Sequence, residues 1–354
     1  MELDAIFIPR PDLEQKLDKI LDVSASGAAC VVWMFGDAGQ GKTRFLKEYL
    51  ERKKDITIAA YADCASPIGA QSVSVLNPYQ PLKDVLEHLV ANRADSQRSL
   101  ALVKNISLTV LACIPFVGEV AYGIKEIRRD WNEYKRGERK VDFERFIEEY
   151  FETLHRFAEE SPLLIVIDDA HWLDKQTVEA IERFATTERF TSDRVVFVLA
   201  ARRDEVQRNP ELLGFQTRTS QSPRASEVIV PPFLDTQIRD YVQARFPAAP
   251  PEIALLRWLE HKTGGNPYYL QSYIQHLLSE ELLNADGSVR GNLESYTGLP
   301  AEIRTVTQWL MKSLPEEDLT LLLAASTLGY EFSLHEISHL ARQPVLGVIR
   351  ALRR

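Results

Sequence analysis

Apolar positions follow two patterns over the first two thirds of this 354-residue chain. Some form short continuous runs, which are typical of strands buried on both faces of a parallel sheet. Others recur every three or four residues, which predicts amphipathic helices packed on such a sheet. The runs predict five strands, at 30–35, 56–61, 163–167, 194–201 and 227–230. Because helical segments separate the strands, we expect a doubly wound, mainly parallel α/β sheet.

Three segments between the strands differ in character. The strongest predicted helix covers 141–160, where one stripe contains Phe143, Phe146, Ile147, Tyr150, Phe151, Leu154 and Phe157. We interpret these side chains as core. Residues 92–140 are predicted to form a helical insert with no assignable chemistry. Residues 209–223 are polar and contain Pro and Gly, which predicts a mobile loop.

The strand pattern ends near Leu234, and only helical spacing remains. It predicts three helices, at 235–246, 251–261 and 268–283. A polar linker follows at 284–298, and a further helical region begins at 299. Ser333 and Glu336 match a capping box. Because the chain stops at Arg354 within a helical pattern, we expect that it was cut from a longer protein.

The strongest chemical signal follows the first predicted strand. Residues 36–43 fit the pattern G-x-x-x-x-G-K-[ST] between a strand and a helix, as a phosphate-binding loop requires. Glycines let backbone N–H groups face phosphate oxygens, and the helix N-terminus adds unpaired donors. Lys42 supplies a charge for the β and γ phosphates, and the Thr43 hydroxyl is a ligand for Mg²⁺. The predicted ATP or ADP contacts are Gly36, Asp37, Ala38, Gly39, Gln40, Gly41, Lys42, Thr43 and Arg44.

An acidic pair follows the third predicted strand. Mg²⁺ beside a phosphate loop takes an acidic ligand, and we predict that Asp168 provides it. Hydrolysis also needs a group that orients or deprotonates water, and we predict that the adjacent Asp169 does so. His171 is a weaker candidate, either for sensing phosphate or for capping a helix.

Two arginines follow the fourth predicted strand. Either Arg202 or Arg203 could reach the same edge of the sheet, where a cation could sense or stabilise the γ-phosphate. The alternative is a surface pair that bridges Asp204 and Glu205.

Composition limits the other classes of function. The net charge of −9 and pI near 5.4 argue against broad, non-specific nucleic-acid binding. Residues 1–21 carry acids and bases throughout, unlike a secretory signal, and the longest apolar run, 106–118, is too short to span a bilayer. Cys30, Cys64 and Cys113 have no metal-ligand spacing and suit a reducing compartment. We therefore expect a cytoplasmic protein without membrane contacts.

These motifs resemble the STAND class of signalling ATPases, an AAA-like class with maltose-regulator-like and apoptosome-like members. Residues 7–13 are similar to its entry motif F-x-G-R-x-x-E-L, with Pro9 replacing glycine and with Asp12, one position earlier than in the motif, replacing glutamate. Residues 163–174 match its Walker B sequence, in which D-D-x-H-W-x-D follows a hydrophobic strand.

Further motifs extend the resemblance over most of the chain. Arg203 lies where the class has an arginine after the fourth strand, although Arg202 replaces the usual tyrosine. Residues 265–267 resemble the G-x-P motif of its helical lid, whose proline packs near the adenine. The residues that the resemblance adds to the nucleotide site are Pro9, Arg10 and Pro267.

The resemblance implies a P-loop nucleotide-binding domain at 1–233, an all-α lid at 234–297 and the start of a winged-helix domain at 298–354. It implies that ADP holds the resting form. A protein or small-molecule signal, sensed by a missing C-terminal region, would permit exchange for ATP and then self-association. Roles in slow, Mg²⁺-dependent hydrolysis of ATP would fall to Lys42, Asp168, Asp169 and Arg203.

Three other functions fit parts of the pattern. An AAA-type motor or loader acting on nucleic acid would share the loop, but the acidic balance and the lack of a basic stripe disfavour it. A scaffold could bind nucleotide without turnover. A small-molecule kinase is least favoured, because no acceptor pocket is recognisable.

Overall fold

Five parallel strands form one sheet in the described part of the computed structural model. They are β1 (Cys30–Phe35), β2 (Ile58–Asp63), β3 (Leu163–Asp168), β4 (Val195–Ala201) and β5 (Ala225–Ile229). Their order across the sheet is β2-β3-β4-β1-β5. The predicted doubly wound α/β sheet is confirmed.

The structure describes residues 6–64, 79–91, 143–187, 192–222, 224–293, 295–301, 303–304, 311, 316–328 and 333–352. The predicted insert at 92–140, which includes Cys113, lies outside the described residues. The chain divides into two compact units, Met1–Tyr241 with Asn266–Tyr268, and Val242–Gly265 with Tyr269–Arg354.

Helices precede, separate and follow the strands. Those up to β5 are α1 (Pro11–Ala25), α2 (Lys42–Lys53), α3 (Gln80–Ala91), α4 (Phe143–Glu160), α5 (Lys175–Thr186), α6 (Arg203–Arg208) and α7 (Pro210–Ser220). Those after β5 are α8 (Asp235–Arg245), α9 (Ile253–Thr263), α10 (Pro267–Ser279), α11 (Glu316–Leu328), α12 (Leu334–Leu340) and α13 (Val345–Leu352). The three helices predicted directly after the sheet are confirmed, with each end within four residues of the prediction.

Position in the sheet explains the apolar patterns of the strands. β1, β3 and β4 each lie between two neighbours, and all of their residues are buried. β2 lies at one edge, where buried positions alternate with partly exposed ones, and β5 lies at the other. Helices on both faces cover the interior strands, which is why their sequences are continuously apolar.

Alternate residues of the interior strands enter two separate cores. Trp33 and Phe197 belong to a core with α3, α4, α5 and α7, whereas Val32 and Val198 belong to a core with α1 and α2. Because successive side chains of a strand point to opposite faces, one apolar run supplies both cores. The aromatic stripe of α4 is core, as predicted, from Phe146 onward.

The prediction of a mobile loop at 209–223 is wrong. Most of this segment is α7, which begins with Pro210. The Asn209 side chain caps it by accepting hydrogen bonds from the backbone nitrogens of Glu211 at 3.1 Å and Leu212 at 3.4 Å. The sequence Asn-Pro is common both in turns and at the start of helices. Here the helix is favoured because it allows Phe215 to be buried in the core.

One further prediction is tested directly. The capping box at the start of α12 is confirmed, since Ser333 and Glu336 exchange hydrogen bonds at 2.7 and 3.2 Å. Cys30 and Cys64 are buried free thiols. Among the described helices, none is long and apolar enough to cross a membrane.

Candidate functional site

The phosphate loop begins where β1 ends, and its turn depends on glycine. Gly39 and Gly41 have φ angles of 78° and 83°, which residues with a Cβ adopt only at a cost. A Cβ added at Gly36 would lie 2.8 Å from Gln40 Oε1 and 3.3 Å from the backbone oxygen of Val230. The loop is therefore a tight backbone turn that larger residues would force open.

Side-chain hydrogen bonds brace this loop. Gln40 Oε1 accepts from the backbone nitrogen of Asp37 at 2.8 Å, and Gln40 Nε2 donates to Asp37 Oδ2 at 3.1 Å. Arg10 donates to the backbone oxygens of Gln40, at 2.8 Å, and of Pro231, and its guanidinium lies 4.7 Å from the Phe233 ring centroid. Burial lowers the pKa of Arg10 to about 10, so the group stays charged at neutral pH.

Lys42 is the first residue of α2, and it is buried beneath the loop. Its Nζ donates to the backbone oxygens of Gly36 at 2.7 Å and Asp37 at 3.1 Å. Burial lowers the pKa of Lys42, and the nearby positive charge of Arg202 lowers it further. Asp168 and other carboxylates act in the opposite direction and raise it. A phosphate oxygen would offset the cost of burying this charge, so the position favours an anion.

The acidic pair lies at the end of β3. Asp168 is buried; its Oδ2 accepts from the Tyr61 hydroxyl at 3.1 Å and its Oδ1 from the backbone nitrogen of Asp169 at 2.9 Å. Asp169 has a φ of 49°, in the left-handed region, which costs roughly 1–2 kcal/mol for a residue with a Cβ. Burial and the Asp168 charge raise the pKa of Asp169, and Arg202 and Lys42 oppose that rise. A raised pKa makes a carboxylate a stronger base.

His171 follows the acidic pair in a short 3₁₀ helix, Ala170–Trp172. Its side chain is fully buried, and neither ring nitrogen has a hydrogen-bond partner among the described residues. The nearest acid is Asp169, whose Oδ1 lies 3.8 Å from Nδ1. Burial, Arg202 and Lys42 lower the pKa of His171 to about 4, so the ring is neutral at physiological pH.

The order of the sheet determines which arginine meets this edge. β4 lies between β1 and β3, so the residue after β4 lies between the phosphate loop and the acidic pair. That residue is Arg202, whose charge acts to lower the pKa values of Lys42, Asp169 and His171.

Arg203 has other partners. It begins α6, forms an ion pair with Glu227 on β5, and lies 4.4 Å from the ring centroid of Phe35. The structure thus brings Lys42, Asp168, Asp169 and Arg202 together, and it ties Arg203 to the neighbouring edge strand.

The residues around the loop fit a nucleoside phosphate with its Mg²⁺. The glycine turn leaves the loop backbone unobstructed, and Lys42 supplies a cation. The Thr43 hydroxyl and the Asp168 carboxylate are the hard oxygen donors that Mg²⁺ prefers. The exposed residues of the predicted nucleotide site are Pro9, Asp37, Ala38, Gly39, Thr43 and Arg44, and Arg44 pairs with Glu48 at 2.9 Å.

A distant segment contacts the tip of the loop. Asn266 Nδ2 donates to the backbone oxygen of Ala38 at 2.9 Å, and the backbone nitrogen of Tyr268 donates to that of Gly39 at 3.2 Å. A Cβ added at Gly39 would lie 2.7 Å from Tyr268 Cβ and 2.8 Å from Asn266 Oδ1. Pro267, between them, is partly buried and begins α10. Residues 266–268 belong to the first unit together with the loop.

Sequence reasoning did not single out Tyr61 or the side chain of Asn266. Tyr61 lies in a predicted strand, and its only signal is a hydroxyl two residues before Asp63 at the strand's end. Asn266 occupies the unspecified position of the G-x-P motif, where the pattern says nothing about chemistry.

The turn, the acidic pair two strands away and the sheet order define a P-loop ATPase of the AAA-like type. The sequence profile of the AAA ATPase domain family matches residues 9–198, which is more than half of the chain. The chain therefore belongs to this family. No curated protein sequence matches it.

Solved structures are similar to this chain, and one of the following three has a TM-score above 0.5. The Walker-type ATPase of Pyrococcus abyssi is 16% identical, with a TM-score of 0.54, over 100% of this chain and 92% of that one. Cdc6p from Pyrobaculum aerophilum is 16% identical, with a TM-score of 0.48, over 99% and 88%. The Aeropyrum pernix ORC1 protein in complex with DNA is 15% identical, with a TM-score of 0.47, over 99% and 83%. At these identities the likeness is one of fold alone.

Replacing Lys42 by Ala should abolish nucleotide binding, because it removes the buried cation under the loop. We expect ADP affinity to fall about 100-fold or more, which is about 2.8 kcal/mol. Titration calorimetry measures it, with Lys54→Ala, an exposed lysine beyond the end of α2, as the control. Unchanged affinity in Lys42→Ala would contradict the assignment of the phosphate site.

Comparing Arg202→Ala with Arg203→Ala tests which arginine serves the site. Because Arg202 lies between the loop and the acidic pair, its loss should lower kcat for ATP hydrolysis by about 100-fold. Arg203→Ala, which breaks the Glu227 pair, should change kcat by less than about threefold. Steady-state phosphate release measures both, and the opposite ranking would return the role to Arg203.

Proposed function

We propose that this chain is the ATP/ADP switch of a STAND-class signalling protein, with slow, Mg²⁺-dependent ATP hydrolysis. The observation that carries the proposal is the contact between the phosphate loop and residues 266–268. The chain continues from Tyr268 directly into Tyr269, the first residue of α10 in the second unit. The first residues of α10 thus belong to the same compact unit as the nucleotide loop, and the rest of the helix belongs to the second unit.

In this proposal the contact is a latch, meaning a contact that responds to the bound nucleotide, because its hydrogen bonds are made to the phosphate loop itself. Asn266 and Tyr268 donate to the carbonyl oxygens of Ala38 and Gly39, on the same backbone turn whose N–H groups face phosphate. Any rearrangement of that turn between ADP and ATP alters both sets of bonds. Gly39 has no Cβ to separate the segments, so the backbone of Tyr268 approaches the loop backbone closely enough for a direct hydrogen bond.

Each catalytic role follows from a side chain's place. Mg²⁺, when bound with the nucleotide, supplies charge neutralisation for the β and γ phosphates. Lys42 holds a positive charge at the loop, and Thr43 and Asp168 offer oxygen ligands. Asp169 accepts a proton from the attacking water, and Arg202 stabilises the developing charge on the phosphate.

The rest of the switch is proposed with it. The lid would cover 234–297 and the winged-helix domain would begin at 298, as the resemblance implies. The ATP form would self-associate in the cytoplasm, in response to a protein or small-molecule signal sensed outside this chain. The net charge of −9 continues to disfavour non-specific nucleic-acid binding.

Asp169→Asn should bind ATP normally and fail to turn it over, because the amide keeps the shape and loses the base. We expect kcat to fall by about 100-fold or more, with ATP affinity unchanged within about threefold. Single-turnover hydrolysis and nucleotide binding measure the two effects. Normal hydrolysis by Asp169→Asn would reassign the base. A wild-type protein without turnover would instead favour a scaffold.

Asn266→Ala should weaken the contact between residues 266–268 and the phosphate loop. Losing the bond to Ala38 should speed release of a fluorescent ADP analogue about threefold to tenfold, because such a bond contributes about 0.5–1.5 kcal/mol. Asn209→Ala, which removes the cap of α7, is the control and should leave release unchanged. We expect wild-type protein to purify with ADP. An empty site, or equal release rates for Asn266→Ala and wild type, would contradict the switch.

A further inference from the structure

Tyr61 joins the edge strand of the sheet to the acid at the end of β3. β2 and β3 are parallel, with Asp63 beside Asp168 and Tyr61 beside Val166. Tyr61 therefore starts two residues, roughly 6.6 Å, before Asp168 along the strand direction. Its side chain spans that distance, and its hydroxyl donates to Asp168 Oδ2 at 3.1 Å.

This bond helps to fix the orientation of the carboxylate. Within the described residues, Oδ1 of Asp168 accepts from the backbone nitrogen of Asp169, and Oδ2 accepts from Tyr61. Each oxygen keeps a further lone pair, so both remain available to a metal or its water. Two donors on opposite oxygens oppose rotation of the carboxylate plane.

A second contact links Tyr61 to the other side of the site. The Lys47 ammonium lies 5.0 Å from its ring centroid, and Lys47 belongs to α2, the helix that begins with Lys42 and Thr43. Tyr61 thus contacts both elements that offer a Mg²⁺ ligand, α2 with Thr43 and β3 with Asp168. Nearby Asp63 adds a negative charge on the same side of the sheet as Tyr61.

We infer that Tyr61 is a positioning residue, whose hydroxyl holds the Asp168 carboxylate in the orientation that receives Mg²⁺. The inference rests on the proposed binding of a Mg²⁺-nucleotide. Tyr61 itself touches neither nucleotide nor metal in this role. It acts through Asp168. Removal of its hydroxyl therefore affects the Mg²⁺-dependent part of nucleotide binding and leaves the binding of phosphate by the loop unchanged.

The test is Tyr61→Phe, which keeps the ring and removes only the hydroxyl. ADP affinity is measured with Mg²⁺ and with a chelator, and the Mg²⁺ concentration for half-maximal hydrolysis is measured separately. We expect the ADP affinity measured with the chelator to be unchanged. The factor by which Mg²⁺ increases ADP affinity should be about fivefold to tenfold smaller than in the wild type, tenfold being about 1.4 kcal/mol. The half-maximal Mg²⁺ concentration should rise by the same factor, with kcat at saturating Mg²⁺ nearly restored.

Tyr49→Phe is a matched control, because the buried Tyr49 of α2 donates to Asp18 Oδ1 of α1 at 2.7 Å and contacts neither acid of the site. It should alter thermal stability without changing the response to Mg²⁺. In an Asp168→Asn background, Tyr61→Phe should have no further effect on that response.

Three results would count against the inference. An unchanged Mg²⁺ response in Tyr61→Phe overturns it, as does an effect that persists in the Asp168→Asn background. Weaker binding with chelator also overturns it, because it would show general damage to the loop. A wild-type protein whose ADP binding ignores Mg²⁺ overturns the proposed nucleotide function as well, so the two failures are distinguishable.

Discussion

The buried ammonium group of Lys42 is the charge around which the site is arranged. Removing an ammonium from water is costly unless it is paired and hydrogen-bonded. Lys42 has two loop carbonyls as hydrogen-bond partners, and Asp168 and Asp169 act on it through space. Arg202 adds a second positive charge from the next strand. Because its direct hydrogen-bond partners are neutral carbonyls, the ammonium has no anion in contact with it, and the position favours a phosphate oxygen.

The sheet order makes that arrangement possible. Because β4 separates β1 from β3, the loop and the acidic pair lie two strands apart, with the residue after β4 between them. Lys42 and the acids are thereby close enough to interact electrostatically and are not tied into a direct ion pair. A direct pair would neutralise the site in the absence of phosphate. The space between two strand ends is also where parallel sheets bind ligands, at a change in strand order.

The sequence predicted the strands and the loop because both depend on local chemistry. Continuous apolar runs mark interior strands, and a glycine turn before Lys42 has few alternative uses. The sequence could not show which of Arg202 and Arg203 serves the site. Adjacent arginines at the end of a strand have the same chemistry and differ only in the direction in which their side chains point. Arg203 enters α6 and meets Glu227, a residue far away in sequence. The same limit applies to Tyr61 and Asn266, whose partners lie on other elements.

The α7 error has a related physical origin. Asn209 and Pro210 favour a turn and a helix start for the same reasons, a short side chain that bonds nearby backbone and a fixed φ. What separates the two outcomes is burial of Phe215 in the core beside Trp33, with ring centroids 5.3 Å apart. That contact joins α7 to β1 and is visible only once the sheet exists.

His171 indicates how the site could change when phosphate arrives. Buried polar atoms without partners are rare, so each one calls for a physical explanation. Nδ1 of His171 lies 3.8 Å from Asp169 Oδ1, about 0.8 Å beyond a good hydrogen bond. Burial, together with Arg202 and Lys42, keeps the ring neutral, so it can donate to Asp169 without adding charge. An anion bound beside Lys42 and Arg202 would offset the positive field that these two cations exert on His171 and Asp169.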